Sequence, residues 1–375
     1  MTPRERVVAA LEHRQPDRVP TDLGGPVTGI AVKAYEGLLE YLGLEEDIII
    51  SDQKQQLALP SEAVLQRLNI DTRYLLPGVP HSWTLDITED ETGHQFVDEW
   101  GMTVRMPKEK GFYFDMVRHP LAGLDVADLP HQDWPDMRDP GWTEGLAARA
   151  RELYEETDYA LVTRNAGSLF ERGWNLRGLE NFLIDLLTDE AFVNAVLDKL
   201  LELNMAFLDE YLGAVGQYLQ VVALSDDLGT QKGPMISPAL YRKFVKPRQK
   251  ELFAFVRERT DAFVFFHTCG SVYQFIPDLI EVGVDVLNPV QVAAAEMDTR
   301  RLKAEFGDRL SFWGAIDTQH VLPFGTPEDV RQEVRRRVAD LGTNGGYVLG
   351  AVHNIQAGVP AESIVVMYEE AVVSG

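Results

Sequence analysis

The only cysteine of this 375-residue chain, Cys269, stands two residues after a histidine in the run Phe263-Val-Phe-Phe-His-Thr-Cys-Gly270. Imidazole nitrogen and thiolate sulfur are both zinc donors, and a catalytic zinc commonly takes three protein ligands and leaves a fourth position open. If the apolar run is a buried strand entering a turn, the alternation of strand side chains sends His267 and Cys269 to one face. The third donor must come from another segment. His353, which follows a second apolar run, supplies it, and Asp226, Asp227 and Asp317 are carboxylates able to fill a position or orient a ligand imidazole.

Each residue also has a plainer role open to it. Cys269 can be a small buried hydrophobe, His353 a satisfied polar neighbour of Asn354, and Asp226-Asp227 the cap of a following helix. Arg164, in Thr-Arg-Asn-Ala-Gly, can hold a substrate anion or pair with one of these acids.

The elements that must position these groups follow from periodicity. Thr2-Pro-Arg-Glu5 predicts a capping box with proline at the first helical position, and a helix through about His13. Residues 21–25 predict a first strand running into a glycine loop, 30–42 and 60–68 two short helices, and 72–76 a strand ended by Pro77-Gly78. Turn pairs and alternation over 81–119, with Pro- and Asp-rich loops to about Trp142, predict a β-hairpin insertion that serves as a lid, a partner surface, a dimer contact or plain packing.

After that the rhythm is regular. Strands are expected at 159–165, 219–224, 263–266, 284–288, 310–315 and 346–350, with helices at 143–156, 178–214, 238–259, 271–282, 296–307, 327–341 and 360–372. Ser237-Pro238 and Thr326-Pro327-Glu-Asp329 are helix starts. With the two early strands the count is eight, which fits a closed (β/α)8 barrel with an N-terminal helical extension and the insertion, as a single domain over 1–375.

Chemistry in such a barrel gathers at the C-terminal ends of the strands. Those ends carry the polar residues here: Asp22, Arg164-Asn165, Asp226-Asp227, His267-Thr-Cys269, Asn288-Pro-Val-Gln291, Trp313 to Asp317, and His353-Asn-Ile-Gln356. Arg164, Asn165, Trp313, Asp317, Asn354 and Gln356 are the groups expected to meet a substrate.

Composition bounds the partners. The net charge of −24 opposes a nucleic-acid partner. No apolar run approaches the roughly 20 residues of a membrane span, the N-terminus lacks a signal-peptide pattern, and one cysteine excludes an intramolecular disulfide framework. The expected location is the cytoplasm.

The opening Thr-Pro-Arg-Glu-Arg-Val-Val-Ala-Ala-Leu-Glu-His-Arg-Gln-Pro-Asp-Arg-Val-Pro, the middle Asp-Asp-Leu-Gly-Thr-Gln-Lys-Gly-Pro-Met-Ile-Ser-Pro-Ala-Leu-Tyr, the His-Thr-Cys-Gly turn and the closing His353-Asn-Ile-Gln resemble the uroporphyrinogen decarboxylase superfamily over nearly the whole chain. The resemblance implies its (β/α)8 barrel. True decarboxylases carry an Arg-Gln-Ala-Gly-Arg motif that grips substrate carboxylates, whereas here the region reads Thr21-Asp-Leu-Gly-Gly-Pro. The chain is more similar to the cobalamin-dependent methyltransferases, which bind zinc through His-x-Cys at the fifth strand and a cysteine near the eighth. His267 and Cys269 match the first two positions, and His353 stands near the third.

The resemblance therefore implies a zinc-dependent methyltransferase or O-demethylase component. It would move a methyl group between a small substrate, such as a methoxylated compound, and a corrinoid protein or cobalamin, with Asp227 or Asp226 as proton donor or ligand orienter. A cofactor-free decarboxylase of a tetrapyrrole-like acid and a non-catalytic corrinoid- or ligand-binding barrel are the alternatives.

Overall fold

The computed structural model describes residues 1–374 except Asn165. Seven strands form one parallel sheet in chain order: Thr72–Leu75, Ala160–Thr163, Val221–Ser225, Phe263–His267, Val286–Asn288, Ser311–Ile316 and Tyr347–Ala351. Thr21 closes the ring. Its segment bonds to the last strand through Asp22 N to Leu349 O (2.9 Å) and to the first through Asp71 N to Thr21 O (3.0 Å). The fold is a (β/α)8-type barrel. Its first strand is a single bridge at Thr21, and the expected glycine loop follows, with Gly24 turning the backbone to φ +115°.

The strands are mostly apolar because helices cover them outside and side chains fill the barrel inside. Val162, Ala223, Phe265, Val286, Trp313 and Val348 pack in that interior with Val7 and Leu11 of the helix Pro3–Leu11. That helix, begun by the expected capping box of Thr2 and Glu5, plugs the N-terminal end. The cavity at the opposite end is where a ligand can enter.

Two regions differ from the sequence reading. The insertion is a four-stranded antiparallel sheet, Thr88–Glu89, Gly93–Val97, Thr103–Pro107 and Asp115–Arg118, with its own small core of Phe96, Val104 and Phe114. An unforeseen three-stranded sheet (Ile30–Ala31, Leu57–Ala58, Ile50–Asp52) hangs on the mouth through a bridge from Ile30 to Ile355. Strands of two or three residues are too short to show a period of two. No helix among the described residues is long and apolar enough to cross a membrane.

Candidate metal centre

Parallel register sets the positions first. His267 ends its strand opposite Ser225 on one side and Asn288 on the other. Beyond it the chain turns at Gly270 (φ +87°), where a Cβ would lie 2.5 Å from the Gly229 carbonyl carbon. Only glycine fits there. The turn brings Cys269 Sγ 3.4 Å from His267 Nε2. His353, two residues past the last strand, crosses the mouth until its ring centroid is 5.4 Å from that of His267. One donor atom from each of His267, Cys269 and His353 lies within 4.8 Å of the others. Zinc–sulfur and zinc–nitrogen bonds of about 2.3 and 2.0 Å place two tetrahedral ligands roughly 3.5 Å apart. The donor set fits zinc with a small closure of the longest pair.

Hydrogen bonding fixes the imidazole. His267 Nδ1 lies 2.6 Å from the amide oxygen of Asn288, whose Nδ2 points to Trp313 O at 3.4 Å. An amide oxygen only accepts, so Nδ1 carries the proton and the lone pair of Nε2 faces Cys269. Burial lowers the pKa of His267 and brings that of His353 down to about 4. Both rings are therefore neutral near pH 7, the form that binds metal. Burial, reinforced by Asp227 and Glu171, pushes the Cys269 thiol well up. A bound divalent cation reverses that balance and favours the thiolate.

The two adjacent acids separate. Asp227 Oδ1 accepts the Cys269 backbone N–H at 2.7 Å and lies 3.8 Å from His267 Nε2. Asp226 turns the other way. Its Oδ1 accepts Leu169 N (3.0 Å), Glu171 N (2.7 Å) and Ser168 Oγ (3.2 Å), and its Oδ2 accepts Gln249 Nε2 (3.0 Å). It ties down the start of the helix Phe170–Arg177, which precedes it in the chain. The expected alternative of a cap for the following helix does not describe this acid: Ser237 caps that helix, and Asp226 serves an earlier one.

Sequence reasoning missed Glu171, which burial and the Asp227 and Asp226 carboxylates push up to about 8. The available signal was its place in the first turn of a helix leaving a barrel strand. A cavity of about 380 Å³ opens beside Cys269 and His353, with Gln231, Gln291, Gln319 and Gln356 among its lining residues. Gln291 Oε1 also accepts the Gly270 N–H at 2.7 Å.

The residues expected to meet substrate divide. Gln356 is exposed at this cavity. Asn354 lines it but is buried and committed to the protein: Oδ1 accepts Gly29 N (2.7 Å), and Nδ2 donates to Pro26 O and Gln55 Oε1 (both 2.9 Å). Asp317 organises its own loop by accepting Gln319 N (2.6 Å) and His320 N (3.0 Å). Trp313 lies inside the barrel and donates to Asp22 Oδ2 at 2.9 Å. Arg164 keeps 40% of its side chain exposed, 3.6 Å from Asp52. Asn165 lies outside the described residues.

A parallel barrel with convergent nitrogen and sulfur donors at its C-terminal mouth defines the class. Residues 97–372 match the family model "Uroporphyrinogen decarboxylase (URO-D)". The chain belongs to the uroporphyrinogen decarboxylase family. It is 23% identical over 252 residues to a methylated-thiol–coenzyme M methyltransferase of Methanosarcina mazei, covering 66% of this chain and 63% of that relative. It is 22% identical over 274 residues to a uroporphyrinogen decarboxylase of Alkalilimnicola ehrlichii, covering 71% and 70% respectively. The solved structure of a methyltransferase from Methanosarcina mazei superposes with a TM-score of 0.66 over 100% of this chain and 99% of that one, at 17% identity. The chain thus spans under two thirds of the methyltransferase relative it matches.

Proposed function

We propose that this single-domain chain is a zinc-dependent methyltransferase or O-demethylase component of the cytoplasm. It moves a methyl group between a small substrate and a corrinoid carried by a partner protein or supplied as cobalamin. The observation carrying this reading is the convergence of His267, Cys269 and His353 donor atoms at the barrel mouth. These three residues would hold the zinc; when bound, it acts as a Lewis acid on the heteroatom that gives up or receives the methyl group.

The chain's own residues account for the rest. Asn288 locks the His267 tautomer, so no proton must leave Nε2 before it binds. Asp227 holds the backbone of Cys269 and keeps a carboxylate beside the reacting group. The glutamine-lined cavity supplies donors and acceptors that orient a small polar substrate for in-line transfer.

Elemental analysis of untreated protein tests the metal, with about one zinc per chain expected and full retention in both Cys269→Ala and His267→Ala overturning the ligand assignment. Transfer is tested by following demethylation of methylcobalamin with thiol and phenol acceptors. Turnover of uroporphyrinogen by metal-free protein would favour the decarboxylase reading, for which the relatives of that name speak. Against it, residues 21–26 contain no arginine.

A further inference from the structure

Arg172 belongs to the first turn of the helix Phe170–Arg177, next to Glu171 and directly after the third barrel strand counted from Thr21. It is half-buried, and its guanidinium carbon sits 4.5 Å over the ring of Trp100 in the insertion. Among the described residues this guanidinium has no hydrogen bond and no ion pair; only its backbone N–H is engaged, with Ser168 Oγ at 3.2 Å. Six other half-buried or buried arginines differ from it. Arg6, Arg18, Arg73, Arg177, Arg259 and Arg337 each reach a carboxylate at 2.9 Å or less.

The acids nearest Arg172 in the fold look elsewhere. Asp98, two residues before Trp100, is taken by Lys54 and by Trp100 N and Met102 N. Glu171 feels the Arg172 charge but makes no hydrogen bond or ion pair with it, and the Asp227 and Asp226 carboxylates together with burial keep it largely protonated. A partly desolvated guanidinium whose N–H groups lack an acceptor is costly, and its planar fork matches a carboxylate bidentately. Stacking on Trp100 holds the plane and leaves the N–H edge available.

We propose that Arg172, backed by Trp100, binds the carboxylate of an acidic small molecule at the seam between insertion and barrel mouth. That this molecule is the methyl-exchanging substrate rests on the function proposed above; the binding itself does not. The carboxylate would anchor the substrate from the Glu171 side, facing the metal ligands. Arg164, on the same connection between strand and helix and only 3.6 Å from Asp52 at closest, adds positive potential.

The test is calorimetric titration of benzoate, 4-methoxybenzoate and the neutral 4-methoxybenzyl alcohol into wild type, Arg172→Gln and Arg172→Lys at low ionic strength, after circular dichroism has established folding. We expect at least one carboxylate to bind wild type, with Kd raised tenfold or more in Arg172→Gln and several-fold in Arg172→Lys. The alcohol should not distinguish the proteins. His267→Ala should keep carboxylate affinity even while losing metal, which separates this inference from the methyl-transfer reading. No carboxylate binding to wild type, an equal Kd in the Arg172 variants, or an equal loss for the alcohol overturns it. If Arg172→Gln fails to fold, Arg172→Lys carries the same comparison.

Discussion

Two polar clusters lie in this barrel, one in its interior and one at its mouth, and they are built on opposite principles. Around Asp22, which is fully buried, the carboxylate accepts from Thr72, Tyr74 OH (3.1 Å) and Trp313 Nε1 (2.9 Å), and the Asp22 carbonyl accepts Tyr368 OH (2.9 Å). Every strong acceptor there has a donor from the protein. Around His267, Cys269 and His353, one donor atom of each lies within 4.8 Å of the others, while the N–H groups of His267 Nδ1 and the Cys269 backbone point outward to Asn288 and Asp227. The first arrangement satisfies itself and seals the seam where Thr21 closes the ring. The second is completed by a cation. Asp22 and His267 are both buried whereas Cys269 and His353 are half-buried at the mouth, so the two clusters differ in hydrogen-bond satisfaction and in access from the cavity.

The comparison breaks most readily at the ligands. Replacing His353 by alanine should take zinc from about one per chain to a small fraction, while His353→Cys should retain it; elemental analysis of both, without added chelator, distinguishes them. At the other cluster Asp22→Ala strands three side-chain donors and should lower unfolding free energy by about 3 kcal/mol. Chemical denaturation measures this, and zinc content of the folded fraction should stay at the wild-type level. A change in metal content there would merge two clusters we hold to be separate.

Smaller effects sharpen the picture. Asn288→Ala removes the acceptor that fixes the His267 tautomer, and should weaken zinc binding by about 10- to 100-fold in a competitive chelator titration. Stability should change less, since Asn288 Nδ2 makes only a 3.4 Å contact.

In metal-free protein, pH should act on the ligand cluster with two opposite signs. The unfolded chain protonates His353 near 6.5 and the folded chain only near 4. Its contribution is intact above 6.5 and is lost as pH falls toward 4. Glu171 behaves in the reverse sense, because the folded protein keeps its proton up to about 8 while the unfolded chain ionises near 4.5. Its contribution is intact below 4.5 and falls as pH climbs to 8. Melting temperature against pH should show both slopes, and Glu171→Gln should flatten only the alkaline one.

Much of the scaffold was legible because its elements are long and repetitive. Six apolar runs after residue 159 became the strands Ala160–Thr163 through Tyr347–Ala351, and the helix start expected at Thr326-Pro327 was found there, with Asp329 completing a capping box. The three-stranded sheet escaped because two residues at Ile30–Ala31 and two at Leu57–Ala58 carry no period. The insertion showed alternation, which signals strands, yet alternation does not count them. Trp313 was expected at the mouth because its strand ends nearby; side chains of one strand alternate inward and outward, and it fell on the inward set beside Phe265, at a ring distance of 5.3 Å.

The sequence by itself determined that His267 and Cys269 end a buried strand and that His353 follows another, since residue order and apolar runs decide which groups a barrel brings to its mouth. It could not decide between Asp226 and Asp227, which are adjacent and chemically identical. The choice depends on the free N–H groups of Leu169 and Glu171, more than fifty residues earlier, which take one carboxylate and leave the other for Cys269. Glu171 and Arg172 likewise acquire meaning only through neighbours that are distant in the chain. Local chemistry is written residue by residue, whereas which donor meets which acceptor is a property of the packed tertiary structure.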